Sequence, residues 1–138
     1  MMIKDRIASL VAESLGHSGR HCELPGADVV SVEIERPQRA GHGDYSTNIA
    51  LKLASAMKTS PMTIAERLVK ALPKSAEVEK AWIALPGFIN FKLADSWLQS
   101  QVAEVQKKGD SFGNSDLGQG KRVQVEYVSV NPTGPLHV

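Results

Sequence analysis

Residues 123–138 read VQVEYVSVNPTGPLHV, a strand-like apolar run that passes into a Pro- and Gly-rich turn and reaches a histidine, His137. A strand feeding a tight turn with a polar side chain at its tip is how α/β nucleotide-binding units hold ligands at strand carboxyl ends. A second stretch with chemical potential is GHGDYSTN at residues 41–48. A glycine loop entering a helix N-terminus can offer backbone N–H groups and the helix dipole to a phosphate. Asp44 would repel that phosphate, which favours a helix-capping role for Asp44 and a packing role for Tyr45, with Asn48 and Lys52 facing outward. His17, His21 and His42 lack the i, i+4 spacing or the Cys and carboxylate neighbours of a metal site, so no metal is expected and these are read as surface loop residues. Neither a GxxxxGK[ST] nor a GxGxxG element occurs, which disfavours a free-standing nucleotide-binding enzyme.

The elements that would position these residues follow from periodicity and punctuation. Ile3, Ile7, Leu10, Val11 and Ser14 recur at helical spacing, with Gly16 and Gly19 as the stop. Residues 29–36 (VVSVEIER) are β-branched with polar residues interleaved, a strand ended by Pro37. Asp44 or Ser46 is expected to cap a second helix whose stripe is Ile49, Ala50, Leu53, Ala54 and Met57. Ser60 and Pro61 open a third, with Ile64, Leu68, Val69 and Leu72 as its stripe and Pro73 as its stop. EVEKAWIALPGFINFKL at residues 77–93 predicts two strands joined at Pro86-Gly87, because proline presets φ and glycine permits φ > 0. Trp97, Leu98, Val102 and Val105 mark a fourth helix, acidic at its start (Asp95) and closed by lysines and Gly109. GDSFGNSDLGQG at residues 109–120 has the composition of a connection. The expected fold is α+β: a small antiparallel sheet with about four helices packed on it over residues 1–108, a Gly-rich linker over 109–120, and an opening strand over 121–138.

A chain of 138 residues supports one real core. Its 42% apolar and 22% charged residues are ordinary for a soluble globular protein, and no apolar run approaches the ~18 residues of a membrane span. The first residues form an amphipathic pattern with Asp5 and Glu13 and lack a secretory h-region, so a cytoplasmic location is expected. Cys22 stands alone, which excludes an internal disulfide and a Cys-cluster zinc site. Sixteen Lys and Arg against fifteen Asp and Glu leave a net charge of +1, so any RNA contact must be local. Six basic residues within 52–80 could form a modestly positive side, although solvated helix faces account for them more simply.

EYVSVNPTGPLHV resembles the first ATP signature of class I aminoacyl-tRNA synthetases in its arginyl-tRNA synthetase version, whose run continues into Gly-His; His137 matches the first histidine and the second is absent. GDYSTNIALKLA and PGFINFKL are similar to signatures of the same family's N-terminal additional domain, so the resemblance covers the whole chain. It implies a domain that packs against the elbow of arginine tRNA, where the D-loop lies, ahead of a Rossmann-type catalytic domain cut inside its signature loop. It also implies a parent enzyme that attaches arginine to its tRNA through an arginyl-adenylate. The partners implied are arginine tRNA, L-arginine and ATP with magnesium, in a monomer without DNA or membrane. The 138-residue chain is expected to be catalytically silent and to bind none of the small substrates.

Carried onto this sequence, the resemblance gives Phe88 and Asn90 the task of holding an unstacked D-loop base. An aromatic ring stacks on an extruded base for roughly 1–3 kcal/mol, and a carboxamide offers its edge a donor and an acceptor. Phe88, where many relatives carry tyrosine, keeps the stacking and loses a hydroxyl; Ile89 would point to the core. Glu126, Ser129 and Asn131 are assigned to the arginine pocket, where a carboxylate can pair with a guanidinium. His137 is assigned to ATP, stabilising phosphate charge, while Asn131, Pro132, Thr133, Gly134, Pro135, Leu136, His137 and Val138 form the signature loop. The alternative is a protein-interaction module using the hairpin edge or the Trp82 and Trp97 surfaces, with Phe88 and Phe91 as ordinary strand hydrophobes and Asn90 as an edge residue.

Overall fold

The computed structural model describes residues 2–16, 21–22, 30–116, 118–127, 129 and 134. The first helix, α1 (Ile3–Ser14), places Ile7 and Val11 fully in the core. It ends where expected: Gly16 takes φ +78, and its N–H donates to the Glu13 carbonyl at 2.9 Å. Gly19 and His17 lie outside the described residues.

The predicted strand over 29–36 is divided between two partners. A short strand β2 (Val30–Ser31) pairs antiparallel with β1 (His21–Cys22), and further on Glu35 forms a single bridge with Ser46; Val29 lies outside the described residues. The alternation nevertheless holds, since Val32 and Ile34 are buried while Glu33 and Glu35 face outward. Side-chain patterning survives the change of hydrogen-bonding partner because burial depends on which face meets the core, not on an unbroken ladder.

Asp44 and Ser46 do not cap a helix. Tyr45–Thr47 is itself a strand, β3, and helix α2 (Ile49–Met57) starts only after it, with Thr47 Oγ1 accepting from the Ile49 N–H at 3.3 Å. Helix α3 (Pro61–Ala71) begins at the predicted proline, although the Ser60 hydroxyl makes no cap hydrogen bond. The hairpin is β4 (Val78–Ala84) and β5 (Phe88–Leu93), and the three-stranded sheet runs β3-β5-β4, antiparallel throughout. At the turn a glycine is required: Gly87 has φ +150, and a Cβ there would stand 2.6 Å from Pro61 Cβ at the start of α3.

One face of the sheet meets the helices. Ile89, Phe91 and Leu93 of β5 pack with Tyr45 and with Ile49 and Leu53 of α2, Ile64 and Leu68 of α3, and Ile7 and Val11 of α1. Period two then sends Phe88, Asn90 and Lys92 to the opposite face.

The fourth helix, α4 (Asp95–Lys108), follows β5 directly, but its stripe is not covered as the periodicity predicts. Trp97 is partly buried against the core, whereas Leu98, Val102 and Val105 are exposed. Leu98 borders a depression shared with Tyr45 and Leu93, yet it stays 42% exposed. Among the described residues of 109–120 there are a 3₁₀ turn (Gly109–Ser111) and turns at 112–113 and 118–120, all exposed. Among the described residues from Lys121 onward no strand is formed: residues 121–126 pair with no strand, and Val123, Val125 and Tyr127 are exposed. A strand of a parallel sheet is held by neighbours on its edges and helices on its faces, and none of the described strands supplies them.

Candidate nucleic-acid interface

On the outward face of the sheet, Asn90 stands between two neighbours in register, Ser46 on β3 and Trp82 on β4. Phe88 is paired with Ala84 one row nearer the turn. Asn90 is therefore on the central strand, not at an edge. The segment that covers it runs from Glu35 to Ser46, and both ends of that segment are fastened. Glu35 and Ser46 exchange backbone hydrogen bonds at 2.9 and 2.8 Å. Asp44 donates its N–H to the Phe91 carbonyl at 2.9 Å and accepts at Oδ2 from the Leu93 N–H at 2.8 Å. This charge-assisted contact is the actual role of Asp44, and it satisfies a backbone donor at the end of β5. Gly43, at φ +81, lies so close to the sheet that a Cβ would meet Trp82 Cη2 and the Phe91 carbonyl oxygen at 2.6 Å each.

Between this loop and the sheet lies a concavity of about 360 Å³. Its floor is Asn90 with Ser46, one wall is Phe88 with Ala84 and Leu85, and the facing wall is the loop, with Arg36, Arg39 and His42. The volume falls in the range of small-ligand sites, ~300–1,000 Å³. Asn90 is 1% exposed, yet neither Oδ1 nor Nδ2 has a hydrogen-bond partner. The described residues hold three such buried side-chain atoms, the third being Asn48 Oδ1, so Asn90 alone leaves both a donor and an acceptor open. Each unmade hydrogen bond of this kind costs about 1–3 kcal/mol, which makes an entirely unpaired buried carboxamide a poor structural choice and a good ligand-reading one. Phe88, 36% exposed, can offer its ring at the mouth.

Part of the charge outside the concavity is engaged in ion pairs. Lys52, expected to reach outward from α2, is paired with Glu33 at 2.7 Å, and Lys92 with Glu79 at 2.7 Å, which holds the Lys92 ammonium pKa above its ordinary value. Arg6 meets Glu77 at 3.3 Å between α1 and the start of β4.

The structure brings together Phe88 and Asn90 but not the other predicted site residues. Glu126, Ser129 and Gly134 are exposed and take no part in the concavity, and Asn131, Pro132, Thr133, Pro135, Leu136, His137 and Val138 lie outside the described residues. Of the lining residues only Phe88 and Asn90 were singled out from the sequence as site residues; Arg36, Gln38 and Arg39 of the covering loop were not, and His42 was read as a plain surface residue. The available signal was the PQRAGHG segment, short and bracketed by two pieces of strand. No group of three or more His, Cys, Asp or Glu residues able to hold a metal occurs among the described residues, and no described helix is long and apolar enough to cross a membrane.

A three-stranded antiparallel sheet, helical on one face and carrying a concavity floored by Asn90 and Ser46 on the other, has the form of a small α+β domain. The family model described as arginyl-tRNA synthetase N-terminal domain matches residues 2–93, and the chain belongs to that family. It is 42% identical over 136 residues, 99% of its length, to the arginine–tRNA ligase of Thioalkalivibrio sulfidiphilus, covering 23% of that protein. To the arginine–tRNA ligase of Nitrosomonas europaea it is 51% identical over 115 residues, 83% of this chain and 20% of that one. The chain thus spans about a quarter or less of the length of these curated relatives. Among solved structures, the Thermus thermophilus arginyl-tRNA synthetase superposes with a TM-score of 0.57 at 25% identity over 72% of this chain and 15% of that one. The Plasmodium falciparum enzyme superposes with a TM-score of 0.59 over 75% of this chain and 18% of that one; at 14% identity it supports the fold alone.

Proposed function

We propose that this chain is the tRNA-anchoring part of an arginine–tRNA ligase and that its outward sheet face receives an unstacked D-loop base at the elbow of arginine tRNA. The observation that carries this is Asn90, buried with its donor and acceptor both unpaired at the floor of a base-sized concavity, beside the Phe88 ring. The base would stack on Phe88 and present an edge to the carboxamide, supplying the two missing hydrogen bonds, with stacking contributing about 1–3 kcal/mol.

On this reading residues 1–108 are the anchoring domain, 109–120 the linker, and 121–138 the start of a catalytic domain. The parent enzyme activates L-arginine with magnesium-bound ATP and transfers it to tRNA in the cytoplasm, as a monomer without DNA or membrane partners. Glu126, Ser129 and Asn131 would then contribute to the arginine pocket and His137 to the ATP phosphates. The chain by itself is inactive in this scheme. A protein-interaction module would make use of the exposed stripe on α4, but it leaves the unpaired Asn90 without a purpose.

The test is a titration of the chain with arginine tRNA, the same tRNA with a substituted D-loop base, and an unrelated tRNA, at two salt concentrations. Preference for the first that is lost in Asn90→Ala and weakened in Phe88→Ala is the expected result. Equal affinity for all three RNAs would refute the base-reading role.

A further inference from the structure

We infer that Glu35 reads the sugar of the inserted nucleotide: its carboxylate accepts a hydrogen bond from the ribose 2′-hydroxyl, so that the concavity takes a ribonucleotide and disfavours the deoxy form. This rests on the base-binding reading above and adds to it the group that meets the ribose. Inside a polynucleotide the 3′ and 5′ oxygens are esterified, which leaves the 2′-hydroxyl as the sugar's one hydrogen-bond donor.

Sheet register puts Glu35 on the same face as Asn90. Glu35 bridges Ser46, Ser46 pairs with Asn90, and Asn90 pairs with Trp82, so these four residues form one row across the sheet. Side chains directly opposite one another in an antiparallel ladder project to the same side. The neighbours of Glu35 alternate away from it: Ile34 is buried, and the Arg36 guanidinium lies 5.8 Å from the centroid of the buried Tyr45 ring, on the helix-facing side. Adjacent strands lie ~4.8 Å apart, so Glu35 stands about 10 Å from Asn90 with Ser46 between them. The Trp82 end of the row is closed by Gly43, whose backbone is so near that a Cβ would stand 2.6 Å from Trp82 Cη2, and Trp82 does not line the concavity. A nucleoside carries its ribose away from its Watson–Crick edge. One whose edge meets the Asn90 carboxamide therefore extends its sugar over Ser46 toward the open, Glu35 end.

The chemistry of the side chain narrows what it can meet. Among the described residues Glu35 is the one acidic group lining the concavity. An ionised carboxylate only accepts hydrogen bonds and repels phosphate, so its partner in RNA is an uncharged donor. With the base edge directed to Asn90, that donor is the sugar hydroxyl. The Glu35 main chain is fixed by its two reciprocal hydrogen bonds with Ser46, at 2.9 and 2.8 Å, so only side-chain rotamers remain to be ordered on binding. Glu33, two positions earlier on the same side, is committed elsewhere: it pairs with Lys52 at 2.7 Å and does not line the concavity.

The experiment measures the affinity of the chain for arginine tRNA in which each D-loop nucleotide in turn is replaced by its 2′-deoxy counterpart. One position should weaken binding by roughly tenfold, the loss expected for a hydrogen bond to a charged group, and it should be the position whose base substitution also weakens binding. Glu35→Ala should weaken the all-ribose tRNA by a similar factor and make the ribose and deoxy forms bind alike. Glu35→Gln should keep a smaller deoxy penalty, because a neutral amide oxygen is the weaker acceptor. Asn90→Ala should abolish the base preference and retain the deoxy penalty. Tighter binding of every RNA by Glu35→Ala, the result for a carboxylate that only repels phosphate, would overturn the inference. So would a deoxy penalty that is absent at every position or that persists undiminished in Glu35→Ala. A Glu35-dependent penalty in a chain that shows no base preference would keep the ribose contact and remove the base reading. Absence of measurable RNA binding by the unsubstituted chain at low salt would overturn both.

Discussion

Asp44 and Leu93, 49 positions apart, are joined by a 2.8 Å hydrogen bond from the Leu93 backbone N–H to the Asp44 carboxylate, and this contact fastens the covering loop to the end of the central strand. A hydrogen bond to a charged group of this kind contributes about 1.5–3 kcal/mol. Asp44→Ala should therefore lower the unfolding free energy by about 1–2 kcal/mol, allowing for partial exposure, and should weaken tRNA binding at temperatures where the variant is still folded. Denaturant unfolding together with a binding titration checks both; a variant destabilised but binding normally would show that the loop does not depend on the staple.

Asn90 leads to an expectation of opposite sign for stability and function. Because its buried donor and acceptor are unpaired, Asn90→Leu, of comparable shape, should leave the free chain as stable or more stable by about 1 kcal/mol while removing base preference. Thermal melts of the free chain decide this: marked destabilisation would mean that the carboxamide is satisfied by water or by a partner and is structural.

At Gly43 two constraints coincide, a φ of +81 and contacts of 2.6 Å that any Cβ would make with Trp82 and the Phe91 carbonyl. Gly43→Ala should cost about 2 kcal/mol or more, since the backbone oxygen cannot swing aside as a flexible side chain would. Equilibrium unfolding with a loss below about 0.5 kcal/mol would show that the loop can lift from the sheet without penalty.

Glu77 bears on acid stability. Burial raises its pKa, but its own backbone N–H, the Ser75 hydroxyl and the Arg6 guanidinium outweigh that effect and leave the carboxyl below its ordinary value of 4.5. A group whose folded pKa is depressed contributes stability that is present above pH 4.5 and is lost as pH falls through the folded value. Glu77→Gln should accordingly reduce stability at neutral pH and flatten the acid limb of the stability profile. Parallel profiles for the two proteins below pH 5 would contradict the assignment.

The elements that could be read from the residues are those set by local chemistry. The four helices followed from 3.6-residue spacing, with Gly16 and Pro61 marking a stop and a start, and the hairpin followed from two β-rich runs around Pro86-Gly87. What misled was punctuation whose partner is distant. Asp44 and Ser46 have the composition of helix caps, but one bonds Leu93 and the other lies in a three-residue strand too short to outweigh its flanking glycines. The apolar side of α4 has helical periodicity, and periodicity alone does not state whether anything covers it.

The residue types and the period-two spacing of Phe88 and Asn90 determined by themselves that an aromatic ring and a carboxamide share one strand face, with Ile89 on the other. Only the tertiary structure decided that this face is roofed by residues 35–46, that Asn90 is central in the sheet and unpaired, and that Arg39 and His42 line the loop side of its concavity. The physical reason is that spacing along a chain sets the direction of a side chain relative to its own backbone. Burial, pairing and charge around it depend on segments about 45 to 50 residues away that only the closed fold brings within hydrogen-bonding distance.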